Sequence, residues 1–129
     1  MKSVLSAALL VALAGVPALA EVSPEVKRAV LQRHDLRTPG LEGVMARVEI
    51  PARGREGRHT HPGDVFAYII SGTVTLEVEG RPAATLKGGD SFFIEAGRVH
   101  EGINPGDAPV ILVATFAVDK GKPLTTKVR

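Results

Sequence analysis

His59 and His61 stand two residues apart in the stretch Gly54-Arg55-Glu56-Gly57-Arg58-His59-Thr60-His61-Pro62-Gly63-Asp64, and His100 follows about forty residues later. On an extended segment, residues at i and i+2 project to the same side. A third imidazole from another strand would complete three nitrogen donors around one ion, with open positions left for water or substrate. The leading expectation is therefore a metal site made by His59, His61 and His100. Imidazole suits several divalent transition ions, so the donor type leaves Fe, Zn, Cu, Ni and Mn all open. The alternative reading is a metal-free barrel in which the same histidines hydrogen-bond to substrate or water. The fourth histidine, His34 in Arg33-His34-Asp35, is read as a surface residue.

Those histidines need strands to carry them, and from Val44 onward the sequence supplies strands. Val44–Ile50, Val65–Ile70, Thr73–Glu79, Ala83–Leu86, Ser91–Ile94 and Val110–Val118 are short apolar or alternating runs rich in β-branched and aromatic residues. Pro62-Gly63-Asp64, Ser71-Gly72, Gly80-Arg81-Pro82, Gly88-Gly89-Asp90 and Asn104-Pro105-Gly106-Asp107 separate them with turn chemistry. Short strands at this spacing predict an antiparallel sandwich or barrel. Thr73, Thr75, Glu77 and Glu79 alternate with Val74, Leu76 and Val78, which predicts one wet and one buried face. Upstream, Ser23 as a cap, Pro24 at the first helical position, and Val26, Ala29 and Val30 on one face predict a short helix through Gln32.

The chain opens Met1-Lys2-Ser3, continues with an apolar run from Val4 to Val16, and reaches Ala18-Leu19-Ala20 before Glu21. A positive start, a short apolar core and small residues at the exit are the parts of a secretory signal peptide, with cleavage expected after Ala20. A run of thirteen residues falls short of the ~20 needed to span a bilayer. The expectation is a periplasmic or secreted chain with no stable membrane insertion after cleavage, and with no disulfide, since cysteine is absent. Cleavage would leave 109 residues with 15 basic and 14 acidic side chains. That is the size of one compact domain, and its charge balance gives no electrostatic case for nucleic acid. The predicted organisation is a signal peptide at 1–20, an N-terminal segment at 21–43, a barrel domain at 44–118 and a C-terminal tail at 119–129.

These residues resemble a known family. His59-x-His61, Tyr68 and Gly72 are similar to the first motif of the cupins, and Gly89-Asp90, Ala96-Gly97, His100 and Asn104 to the second, across residues 44–118. The resemblance implies an all-β fold, a single antiparallel jelly-roll barrel following the short helix. It also implies a metal held inside by histidines, and frequent dimerisation, here a homodimer. Cupins include dioxygenases, isomerases, decarboxylases and plain binding proteins, so the resemblance predicts the fold better than the reaction. The chain departs from the pattern in two places. The first motif carries a glutamate ligand four residues after its second histidine, where this chain has Val65, with Phe66 next. Asp64 is the nearest carboxylate, but neighbouring strand residues face opposite sides, so it reads as a solvated turn residue. Glu95 stands where the second motif has proline.

Two functional classes follow. One is a metal-dependent, dioxygenase-like enzyme of the quercetinase kind acting on a small chelating organic molecule. The other is a non-catalytic periplasmic cupin that binds a small molecule or a metal. Catalytic residues beyond the ligands are unassigned, because Val65 removes the most obvious acid or base. Arg53, Arg55 and Arg58 read as a solvated charged loop or as attractors for a carboxylate or phenolate. Tyr68 reads as a core residue with a satisfied hydroxyl or else as a proton donor in the pocket, and Phe66, Phe92, Phe93 and Phe116 as filling for the sandwich, one or two of them lining a cavity.

Overall fold

The alternation read at Thr73–Glu79 is realised in the computed structural model, which describes residues 24–129. Val74, Leu76 and Val78 point inward from a strand spanning Thr73–Val78. The same period of two runs through the whole domain. In chain order, the strands among the described residues are β1 (Lys27–Asp35), β2 (Leu41–Ile50), β3 (His59–Thr60), β4 (Gly63–Ser71), β5 (Thr73–Val78), β6 (Ala84–Lys87), β7 (Ser91–Ile94), β8 (His100–Ile103), β9 (Val110–Asp119) and β10 (Thr126–Lys127). They form two antiparallel five-stranded sheets, ordered β1-β2-β9-β4-β7 and β10-β3-β8-β5-β6. This is the jelly-roll arrangement of two packed sheets.

Every second residue of β2, β4, β5 and β9 enters the space between the sheets. Val44, Ile50, Ile69, Val74, Val110 and Val118 are almost fully buried there, joined by Ile94 of β7. Burial of such a side chain contributes about 1.5–3 kcal/mol, so the period-two pattern fixes the register: a one-residue slip would turn the whole apolar set outward.

Two expectations fail, each for a physical reason. The segment Pro24–Gln32 is not helical; Lys27–Asp35 forms β1, which pairs with β2 from Lys27↔Glu49 to Asp35↔Glu42. Local spacing favoured a helix, but a helix of that length is marginal alone, whereas the free edge of β2 offers backbone partners along its length. The signal-peptide segment at 1–20 lies outside the described residues. The aromatic expectation also needs correcting. Tyr68, Phe66 and Phe93 are exposed by 52%, 60% and 40%, because β4 buries Val65, Ala67 and Ile69 and turns its even-numbered residues outward. Phe116 is buried and Phe92 packs against the core.

Two features bring the site-bearing segments to their places. Gly72 turns the chain from one sheet to the other at φ 85°, and a Cβ there would stand 2.6 Å from the Pro109 carbonyl oxygen. Asn104, just past β8, is buried at 2% exposure and shares its amide protons among the carbonyls of Ile50, Pro51 and Ala108 at 2.8–3.1 Å. Its own oxygen accepts from the Gly106 N–H. A fully satisfied buried amide of this kind fixes the end of β8 against the end of β2.

Gly63 offers the sharpest test of the packing. A Cβ at Gly63 would lie 1.9 Å from the Ala117 carbonyl oxygen on the paired strand β9, so Gly63→Ala must push β4 away from β9. The expected cost is about 1–3 kcal/mol or more, read as a lowered urea midpoint. An unchanged midpoint would contradict this register.

Candidate metal centre

His59 lies on β3 between two partners, opposite His100 of β8 on one side and Lys127 of β10 on the other. His61 follows two residues later on the same side. The three rings are buried at 4%, 8% and 5% exposure, with centroids 4.3–5.0 Å apart. One ring nitrogen from each lies within 4.8 Å of the others. The structure thus brings together all three expected ligands. His34 is exposed and its Nε2 meets Gln32, as a surface residue should.

The backbone decides which nitrogen each ring presents. His59 Nδ1 meets the Gly57 carbonyl at 2.7 Å, His61 Nδ1 the Leu124 carbonyl at 2.7 Å, and His100 Nδ1 the Arg98 carbonyl at 2.9 Å. A carbonyl oxygen only accepts, so each Nδ1 carries the proton. In a neutral imidazole that leaves Nε2 bare with its lone pair. Burial supports the neutral form: it lowers His59 and His100 and brings His61 down to about 4, outweighing the carbonyl bonds that oppose it. Three neutral rings with pinned Nδ1 protons are a donor set that fits a borderline divalent ion.

The wall around them is apolar. Ala46, Val48, Val65, Leu112, Ala114 and Phe116 line a cavity of about 100 Å³ with the histidines, and the His61 ring meets Phe116 edge-on at 4.9 Å. Val65, in the position of the family's glutamate, is 3% exposed in that wall. Asp64 points the other way and accepts a hydrogen bond from the Ala96 N–H at 3.0 Å, so it caps a turn and is no ligand. Glu95, in the proline's position, pairs with Arg81 and Arg98 at the surface.

The arginines beside the histidine pair are already engaged. Arg53 pairs with Asp107, Arg58 with Glu79, and Arg55 grips Glu101 through Nε and Nη2 at 2.6 and 2.7 Å. Glu101, next to His100, is 1% exposed and also accepts from the Gly57 N–H at 3.0 Å. The Arg55 hydrogen bonds hold its carboxyl below the usual range despite burial. This clamp joins the loop that orients His59 to the strand that carries His100. The sequence reading missed it, since nothing in the spacing ties Arg55 to Glu101.

Glu56 was also missed. It lines the cavity with His59 and His100, its side chain 13% exposed, and accepts from the Gly102 N–H at 3.1 Å. Burial raises its pKa, against the Arg28 guanidinium and the Gly102 bond. A carboxylate does therefore reach the cavity, from the loop before β3.

A family model described as "Cupin domain" matches residues 46–116. The auxin-binding protein ABP20 of Prunus persica is 30% identical over 99 residues, covering 70% of this chain and 46% of that protein. The crystal structure of the DMSP lyase DddQ from Ruegeria pomeroyi is similar with a TM-score of 0.62 at 23% identity, over 67% of this chain and 43% of that one. A cupin-like protein from Thermotoga maritima is similar with a TM-score of 0.66 at 20% identity, over 80% and 75%. The chain spans about half the length of the auxin-binding relative and of the lyase, and the two structural likenesses show the fold alone.

The pinned imidazoles have a consequence for acid stability. His61 titrates near 4 when folded and near 6.5 when unfolded, so the unfolded chain binds more protons between those values. Stability is then full above about 6.5 and is lost as the pH falls towards 4. In metal-free protein, His61→Gln should flatten the fall in unfolding free energy across that interval by up to one proton. Denaturation at a series of pH values reads the slope, and an unaltered slope would contradict a neutral His61.

Proposed function

We propose that this chain, which belongs to the cupin domain family, holds one divalent transition ion through Nε2 of His59, His61 and His100 and acts on a small chelating organic molecule. The observation that carries this is the set of three Nδ1 bonds to the carbonyls of Gly57, Leu124 and Arg98. A bound cation would polarise a chelating oxygen, and a redox-active one would add the electron transfer of a dioxygenase-like reaction.

The chain's own residues supply the rest. The wall from Val48 to Phe116 takes the carbon body and excludes water. Glu56 Oε2 is held by the Gly102 N–H, and Oε1, which accepts only a long bond of 3.4 Å from Arg28, is the atom placed to take or give a proton at the cavity edge. That role fits a carboxyl whose pKa burial raises. Val65 supports the second reading, a non-catalytic binding cupin, because it keeps the buried ligand set uncharged.

Periplasmic or extracellular residence, from the Ala18-Leu19-Ala20 site, is part of the proposal. So is a homodimer, through the outward face of β4 and β7. Phe66 and Phe93 sit opposite each other there with centroids 4.9 Å apart, beside exposed Tyr68 and Ile70. Phe66→Asp should shift sedimentation of the full chain from dimer to monomer; a monomeric wild type would remove the dimer from the account.

Metal titration tests the main reading. Wild type should bind one equivalent of zinc or iron, His61→Ala should lose stoichiometric binding, and Asp64→Ala should do little. Val65→Glu should tighten binding, since the cation favours the ionised acid beside it. Oxygen uptake with small β-diketones, which suit a chamber of about 100 Å³, then separates the two readings. If turnover is found, Glu56→Gln should lower it by about 10²-fold or more while metal content stays the same. Metal binding without turnover would favour the binding module, and negligible binding by wild type would overturn the metal site.

A further inference from the structure

Arg28 of β1 reaches the cavity, although Arg53, Arg55 and Arg58 lie closer to the histidines in sequence. Its register partner on β2 is Val48, a core residue, so the β1 pairing turns Arg28 towards the inside of the domain. Arg28 and Val30 line the cavity of the three histidines. A second hollow of about 450 Å³ adjoins it, lined by Pro24, Glu25, Arg55 and Lys127 among others. Arg28, Glu56, His59 and Thr125 belong to both linings. They form the boundary between an apolar chamber and a charged vestibule.

At that boundary Arg28 is weakly committed. Its one side-chain partner among the described residues is Glu56 Oε1, at 3.4 Å, and its side chain is 41% exposed. A guanidinium has five N–H donors in a fork that matches a carboxylate bidentately. Arg55, by contrast, spends its fork on Glu101 at 2.6 and 2.7 Å. The charges point the same way. A divalent ion on three neutral imidazoles, with Arg28 and Glu56 beside it, leaves the chamber positive, and a neutral ligand would leave that charge uncompensated.

We propose that the chamber takes a small organic carboxylate, its carbon body against Val48, Val65 and Leu112 and its carboxylate in the fork of Arg28, which exchanges Glu56 for the ligand. This rests on the metal reading above and adds the substrate class to it. The chamber's size sets the scale: about 100 Å³ is below the ~150 Å³ that admits benzene, so a body of a few carbons fits, with the charged end at the vestibule.

Calorimetric titration of the full chain with butyrate and with butyramide tests it, in zinc-loaded and in metal-free protein whose zinc content is measured first. Butyrate should bind at least about tenfold tighter than butyramide in both forms, the size of one charge-assisted contact. Arg28→Gln should remove that preference while leaving butyramide unchanged, and Glu56→Gln should tighten butyrate severalfold by releasing the fork. Equal affinity of wild type for the acid and the amide, or an Arg28→Gln variant that keeps the preference, would overturn the proposal. Unchanged butyrate affinity in Glu56→Gln would overturn the exchange with Glu56. A chain that takes up no zinc yet shows the Arg28-dependent preference would overturn the metal reading and leave the carboxylate pocket standing.

Discussion

Each imidazole in the barrel gives its Nδ1 proton to a main-chain carbonyl, and the chemistry of the centre depends on those three bonds. They fix the tautomer, the ring orientation and the bare Nε2 at once. Without them a buried histidine could turn its N–H inward, and three such rings would repel a cation. The carbonyls come from separate places: Gly57 before β3, Arg98 in the turn before β8, and Leu124 beyond β9. The centre is therefore only as well ordered as the three segments that supply them.

The surrounding architecture serves that requirement. The Arg55–Glu101 clamp draws the Gly57 loop onto β8. Glu95, between Arg81 and Arg98, steadies the turn that presents the Arg98 carbonyl. The pairing of β10 with β3 brings the C-terminal segment across the opening so that Leu124 can accept from His61. Removing a charge from such pairs acts on the imidazoles indirectly, by loosening a carbonyl. Beside them, Glu56 and Arg28 provide a carboxylate and a cation that the familiar ligand positions lack. Both come from segments before β3.

Much of this was legible in the residues. A two-residue period over Thr73–Val78 and Val110–Asp119 specifies half-buried strands, and His59-x-His61 specifies a shared face; His100 converges with them as the motif spacing implied. What was hidden is long-range. Val26, Ala29 and Val30 have helical spacing, yet the edge of β2 makes the segment a strand, and only that strand brings Arg28 inward. Tyr68 and Phe66 look like core by type, but their even positions on β4 face outward, a parity that the sequence alone does not orient when both faces are apolar. Glu101 and Glu56 gain their roles from partners 46 residues away, a separation no local pattern reports.

Long-range ¹H–¹⁵N correlation of the imidazole rings in metal-free protein near neutral pH reads the three Nδ1 protons directly. His59, His61 and His100 should all be neutral, each with its proton on Nδ1 and a bare Nε2. A proton on Nε2 of any of the three, or an imidazolium among them at that pH, would contradict it.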